Sequence, residues 1–359
     1  MGLSGFLSFL RKKVPQIIRE EHLSLYAYER VFIDISGYLY RYICTFGKDQ
    51  NRWVVAILQF LAAFRENKVI PIPVFDGKPP QEKKEEIQER REKRTQLSSR
   101  IDSLQSALEE YKKNKLECSQ TSLDTLKTEL DRLEQRGQRM VSLLSTSSGQ
   151  ARYKISSKDI ELLEQTLKNI QRQHIVITDE DTQLLKNVLD DFGISWLQSP
   201  SESESYCAFL IRDQAGSAMV SCDSDSLAHL APDLILDVEL SGKIIRIELE
   251  ELLESLHITS EQMIDYAILM GCDYNKHAKT NKLGPVNALK YIQQYGRIED
   301  IPDHLLDKEC LLYPRCRELF QPHFESIVVY FKTPNEDKIN EWVSYWKLNP
   351  SLIKKFINL

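Results

Sequence analysis

The stretch Val31–Ser36, VFIDIS, is an apolar strand signal that runs directly into an acid, Asp34. The same figure returns twice: Ile70–Asp76 reads IPIPVFD, and Ala218–Asp225 reads AMVSCDSD. Between the first two lies Trp53–Glu66, whose apolar residues recur at helical spacing. A helix between two apolar strands is a parallel βαβ unit. The expected fold class is therefore α/β, with a mostly parallel central sheet flanked by helices. In open parallel sheets, ligands sit outside the carboxyl ends of the strands. Asp34, Asp76 and Asp223 are expected at such ends.

Further along, Asp181–Asp191 reads as a helix stopped by Gly193, followed by a short strand at Ile194–Leu197. Ser205–Ala215 reads as a helix. Leu234–Leu240 and Lys243–Leu249 flank Ser241-Gly242, a hairpin signal. Glu250–Leu256 and Glu261–Met270 read as helices, and the remainder as mostly helical. A long polar stretch separates Asp76 from Ile194. Within it, Gln81–Arg100 is a charged helix with Lys83, Arg90 and Arg94 on one face, since seven residues make about two turns. Ile101, Leu104, Leu108 and Tyr111 are spaced 3-4-3, as are Leu123, Leu126, Leu130 and Leu133. That repeat predicts an antiparallel helical hairpin, followed by a Ser-rich loop at 145–157. The chain divides into 1–99, an α/β region running into the charged helix; 100–158, the hairpin and loop; 159–300, a second α/β region; and 301–359, a helical end.

Seven acids fall at strand ends or helix starts: Asp34, Asp76, Glu202, Glu204, Asp223, Asp225 and Asp273. Acids held near a core need partners. Carboxylate oxygens suit hard divalent cations such as Mg²⁺. Two such ions about 4 Å apart are a standard device for cutting phosphodiesters. For Glu202 and Glu204 a competing reading exists, because Ser201…Glu204 spells a capping box.

The chain has 359 residues and a net charge of −6, from 47 basic and 53 acidic residues. Charge distribution matters more than the sum. Lys78–Lys115 carries eleven Lys/Arg against eight Asp/Glu, and Lys276, Lys279, Lys282 and Lys290 form a second basic patch. Either run also fits a solvated helix face. No apolar run spans a membrane, and the N-terminal residues lack the apolar stretch of a secretory signal. Seven scattered cysteines without a CxxC pair suit reduced thiols inside a cell.

In chain order, MGLSGFLSFL, Asp34, VFDGKPPQ at Val74–Gln81, PSESES, CDSD and MGCDY resemble the flap endonuclease family of XPG-type structure-specific nucleases. The resemblance spans most of the first 300 residues. It implies a PIN-like 5′ nuclease core, a helical arch over the site, and a helix–two-turn–helix that holds duplex DNA. It places the seven acids on the family's metal positions, for two Mg²⁺ ions with Mn²⁺ as a substitute. Lys83 and Arg90 fall on the two arch cations, with Arg94 a further DNA contact. Tyr40 falls on an aromatic that stacks near the scissile nucleotide, and Gly2 would place the amino terminus nearby. The implied activity is a structure-specific 5′-flap endonuclease and 5′→3′ exonuclease in DNA replication or repair. It leaves a 5′-phosphate and a 3′-hydroxyl. The implied partner is flapped or branched DNA, and the implied location is the nucleus or another site of replication, with the protein a monomer.

Two departures stand out. The family's turn reads Gly-hydrophobic-Gly-Pro, whereas this chain has Lys282-Leu283-Gly284-Pro285. Losing the first glycine removes easy access to positive φ, so Lys282 is expected to contact phosphate directly beside Gly284. KKFINL lacks the family's clamp-binding string, so no sliding-clamp contact is expected there. Rival readings are a sibling exonuclease or a bubble or junction endonuclease, a silent DNA-binding scaffold, and a small-molecule Mg²⁺ phosphohydrolase. The full set of acids disfavours the scaffold. The basic segments, suited to a long polyanion, disfavour the last.

Overall fold

Asp34 closes a strand that pairs in parallel on both of its sides. The computed structural model describes residues 3, 5–113, 117–137, 155–275 and 283–357. Its strands are β1 (Arg19–His22), β2 (Arg30–Asp34), β3 (Ile70–Phe75), β4 (Leu197–Gln198), β5 (Ala218–Val220), β6 (Asp233–Val238) and β7 (Lys243–Glu248). They form one sheet in the order β1-β7-β6-β5-β2-β3-β4. Strands β2 to β6 run parallel, and β7 and β1 add antiparallel pairs at one edge. The mostly parallel α/β sheet expected from the apolar runs is therefore present. β1 has no apolar alternation, and its REEH sequence is recruited by pairing with β7.

Strand order reverses at β2. The chain builds outward through β3 and β4, then returns to the other side of β2 with β5. Such a switch point opens a crevice at the carboxyl ends of the strands. Asp34 lies at that crevice.

β3 contains two prolines inside a paired strand, which is unusual because proline has no N–H to give a neighbour. Ile70, Ile72 and Val74 face β2, with Ile70 N–H bonded to Glu29 O at 2.9 Å. Pro71 and Pro73 face the other way. There β4 pairs only from Val74 onward, so no ladder bond is lost.

The helix Gln50–Glu66 buries Trp53, Val54, Ile57, Leu58, Leu61 and Phe64 and is capped by Asp49, which accepts from Asn51 N–H at 3.1 Å. The expected helix before β4 is Asp179–Asp191, and Gly193 beyond it has φ +66°, the left-handed stop. Towards the C-terminus, Arg317 on the helix Tyr313–Phe320 forks onto two acids. It donates to Asp265 at 2.6 Å through two nitrogens and to Glu299 at 2.6 and 2.8 Å.

The chain divides into two units, 1–86 with 177–359, and 87–176. In the second, the 3-4-3 repeats meet as expected: Leu104, Leu108 and Tyr111 pack with Leu126, Leu130 and Leu133. A third helix, Ser157–Gln173, adds Leu163 to this core. Glu110 fastens the start of the helix Gln120–Gln135 by accepting from Ser119 N–H at 2.6 Å and Ser119 Oγ at 2.9 Å. The Ser-rich stretch up to residue 154 lies outside the described residues.

Leu130 is fully buried. Leu130→Ala is expected to cost about 2–5 kcal/mol through transfer and cavity terms, read as lost amide protection within 87–176. Arg317 hydrogen bonds hold Glu299 down to about 2, below its ordinary 4.5. A depressed acid stabilises the fold above its unfolded pKa, and that stabilisation is lost as pH falls through the folded value. Between about 4.5 and about 2 the wild type should lose melting temperature more steeply than Glu299→Gln.

Candidate metal centre

Asp34 stands at the N-cap position of the helix Ile35–Phe46, yet its side chain makes no capping bond. Its carboxylate faces other acids instead. Oδ1 lies 2.7 Å from Ser203 Oγ, and Oδ2 lies 3.2 Å from Ser221 Oγ. Asp76, one residue beyond β3, accepts from Ser203 N–H at 2.9 Å and lies 2.7 Å from Ser203 Oγ. One serine hydrogen thus serves two carboxylates. Burial, and then the charge of Asp76, push Asp34 up to about 7.

The Ser201…Glu204 capping box is not made. The helix begins at Ser203, with Glu202 at the N-cap position and no side-chain cap. Ser201 is used otherwise: its N–H donates to Ser199 Oγ at 3.1 Å, and its carbonyl accepts from Gly77 N–H at 2.6 Å. Glu204 Oε1 lies 3.3 Å from Ser221 Oγ. Burial, then Asp223, Asp34 and Asp225, hold its carboxyl well above the usual carboxylate range.

Ser221 Oγ also accepts from Asp223 N–H at 3.1 Å. Asp223 Oδ1 accepts from Asp225 N–H at 3.1 Å, where the short helix Asp225–Ala228 begins. Asp225 is buried, and among the described residues its Oδ1 has no hydrogen-bond partner. Burial, then Asp223 and Asp273, push its pKa up. Asp273 sits in the loop after the helix Ser260–Met270. Asn275 shapes that loop by accepting from Cys272 N–H at 2.9 Å and donating to Ile268 O at 3.0 Å.

Lys83, at the end of the short 3₁₀ turn Gln81–Lys83, pairs with Glu202 and lies 3.3 Å from Asp273. Its ammonium stands 5.5 Å from the centre of the Tyr274 ring. Burial opposes its charge, but Glu202, Glu204 and Asp273 outweigh burial and raise its pKa. Tyr274 OH donates to Glu202 Oε2 at 2.6 Å and lies 3.3 Å from His229 Nε2. His229 Nδ1 lies 3.1 Å from Phe320 O. Burial keeps His229 neutral, down to about 3.

All seven expected acids therefore join one electrostatic network at the carboxyl edge of β5, β2 and β3. The donors are hard oxygens, and a buried carboxylate oxygen in Asp225 lacks a partner among the described residues. That set fits Mg²⁺ or Mn²⁺. Among the described residues, no three acids already stand in a grouping that clasps one ion. Ser203, Ser221 and Lys83 lie between them.

Tyr40 is 43% exposed on the helix that Asp34 precedes. Arg90 and Arg94 are exposed on the helix Lys84–Lys113, within 87–176. Gly284 is the N-cap of the helix Pro285–Tyr295, with φ −63°. Gly2 and Lys282 lie outside the described residues, as do Lys276 and Lys279. Sequence reasoning missed Ser203, Ser221, Tyr274 and His229. The first three carried a signal, since each sits within SESES, SCDSD or CDY beside a named acid. His229 carried none.

The model of the XPG N-terminal domain matches residues 1–97, and that of the XPG I-region matches 193–273. A flap endonuclease 1 from Micromonas commoda is 29% identical over 324 residues, spanning 86% of this chain and 70% of that protein. The structure of flap endonuclease-1 from Methanococcus jannaschii superposes with a TM-score of 0.57 at 18% identity, covering 96% of each chain. The catalytic core of Rad2 in complex with DNA substrate gives 0.61 at 14% identity, covering 99% of this chain and 98% of that one.

Gly77 brings the loop of Asp76 against the loop of Glu202. A Cβ there would stand 2.0 Å from Ser199 O and 2.9 Å from Pro200 C, both backbone atoms. Gly77→Ala should therefore force the loops apart, at about 1–3 kcal/mol. The expected readings are a lower melting temperature and weaker Mn²⁺ binding.

Proposed function

We propose that this chain, which matches the XPG N-terminal and I-region models and resembles flap endonuclease 1 over most of its length, is a structure-specific 5′ nuclease that cuts 5′ flaps from branched DNA at this acid network. It is a phosphodiester hydrolase. The observation that carries the reading is the meeting of seven acids, drawn from well-separated parts of the chain, with the ammonium of Lys83 beside Glu202 and Asp273.

The roles follow from the side chains. Asp34, Asp76, Glu202, Glu204, Asp223, Asp225 and Asp273 would hold two divalent cations, Mg²⁺ with Mn²⁺ as a substitute. When bound, such ions supply Lewis acidity at the phosphate and lower the pKa of water. Lys83 presents a positive charge to the scissile phosphate, and Arg90 a planar fork of donors. Tyr40 offers a ring on which an unpaired base stacks. Arg94, Gly284, Lys282 and Gly2 are assigned to the DNA backbone. Water attacks phosphorus, the 3′ oxygen leaves, and the products are a 5′-phosphate and a 3′-hydroxyl. The place of action is DNA replication or repair, in the nucleus or wherever DNA is copied. No described helix is long and apolar enough to cross a membrane.

The test is an end-labelled double-flap DNA with Mg²⁺ or with EDTA. Wild type should cut at the flap base with Mg²⁺ only. Lys83→Ala should slow cleavage by about 10²-fold or more, and Asp225→Asn should fall to background while still binding the flap. Cutting that persists in EDTA, or a wild type that leaves the flap whole, would sink the proposal.

A further inference from the structure

Glu202 is held by two groups of different kinds. Lys83 pairs with one oxygen, and Tyr274 OH donates to the other at 2.6 Å. The phenol has a single hydrogen and a second acceptor within reach, His229 Nε2 at 3.3 Å. The tautomer of His229 follows from its other side. Phe320 O can only accept, so Nδ1, 3.1 Å away, carries the ring proton. Nε2 is then a bare lone pair aimed at Tyr274.

The rings around this pair leave little freedom. Tyr274 and His229 are 6% and 2% exposed. Both pack edge-on or tilted against Phe320, with centroids 5.1 Å apart in each case. A buried hydroxyl with one acceptor would be stranded whenever that acceptor turned to a cation, at a cost of about 1–3 kcal/mol. This hydroxyl has two.

We propose that Tyr274 and His229 form a positioning pair for Glu202. Tyr274 aims the carboxylate, and His229 accepts the phenol's hydrogen bond when a divalent cation draws on the same oxygens. The inference rests on the reading of Glu202 as a metal-holding acid. Tyr274 and His229 act through Glu202 and touch no substrate. The exchange moves a hydrogen bond between two acceptors and breaks no covalent bond.

The test uses Mn²⁺ alone, titrated into the DNA-free full chain and followed by its electron-spin signal, beside Mg²⁺-dependent flap cleavage. Tyr274→Phe removes the donor and leaves the ring. His229→Phe keeps an aromatic ring and removes the acceptor. Each should weaken Mn²⁺ binding about tenfold, as lost outer partners of a ligand do. Combining them should cost no more than either alone, because both act on one hydrogen-bond chain. His229→Gln, whose amide can donate to Phe320 O and accept from Tyr274, should return binding to within about twofold of wild type. Melting temperatures identify variants that fail through folding, and the Gln rescue separates position from packing. Unchanged Mn²⁺ binding in Tyr274→Phe overturns the positioning role whatever the cleavage result. Additive losses in the double variant overturn it as well. A wild type that binds Mn²⁺ with this ordering of variants, yet cuts no flap, supports the positioning pair and overturns the nuclease reading instead.

Discussion

Mutual repulsion among buried carboxylates is the constraint around which this chain is arranged. Asp34, Glu204 and Asp225 are desolvated beside one another, and each is pushed toward its protonated form by burial first and by its neighbours second. An isolated buried carboxylate is expensive, and several together are more so. The fold meets this cost locally. Ser203 lies between Asp34 and Asp76, Ser221 between Asp34 and Glu204, and Lys83 between Glu202 and Asp273. Each separator is a donor within reach of two acids. The same groups that make the site tolerable keep the acids apart, and the proposed cations would complete it.

The sheet explains why the acids can meet at all. Parallel strands deliver their carboxyl ends to one edge, and the reversal of order at β2 opens a crevice there. Asp34 and Asp76 come from neighbouring strands, and Asp223 follows the strand on the other side of Asp34. The remaining acids arrive on helix starts and loops that other contacts fix. Asn275 ties the loop of Asp273, and Gly77 lets the loops of Asp76 and Glu202 touch.

Much of this was legible in the sequence because it rests on local pattern. Apolar runs ending in acids announced β2, β3 and β5, and 3-4-3 leucines announced the helical pair within 87–176. What escaped lacks such a pattern. β1 is polar and exists because β7 offers it an edge. The capping box of Ser201 and Glu204 was a sound local reading that tertiary contacts override, since Ser201 is engaged by Gly77 and Ser199. Ser203 and Ser221 look like any other serine until the acids on either side are brought together in space. His229 becomes visible only when Phe320, far along the chain, presents its carbonyl.

The prolines of β3 carry a consequence for folding. β3 ends at Phe75, its neighbour β4 begins at Leu197, and residues 87–176 form a unit of their own between them. Pro71 and Pro73 leave β3 with no N–H to offer on that side until Phe75. The strand cannot zip early onto a wrong neighbour while the distant one is still unformed. Closing so long a loop costs only about 0.6 kcal/mol more for each doubling of its length. The sheet can therefore wait for its last parallel strand, and the length of the intervening segment is free to change without disturbing the edge on which the acids stand.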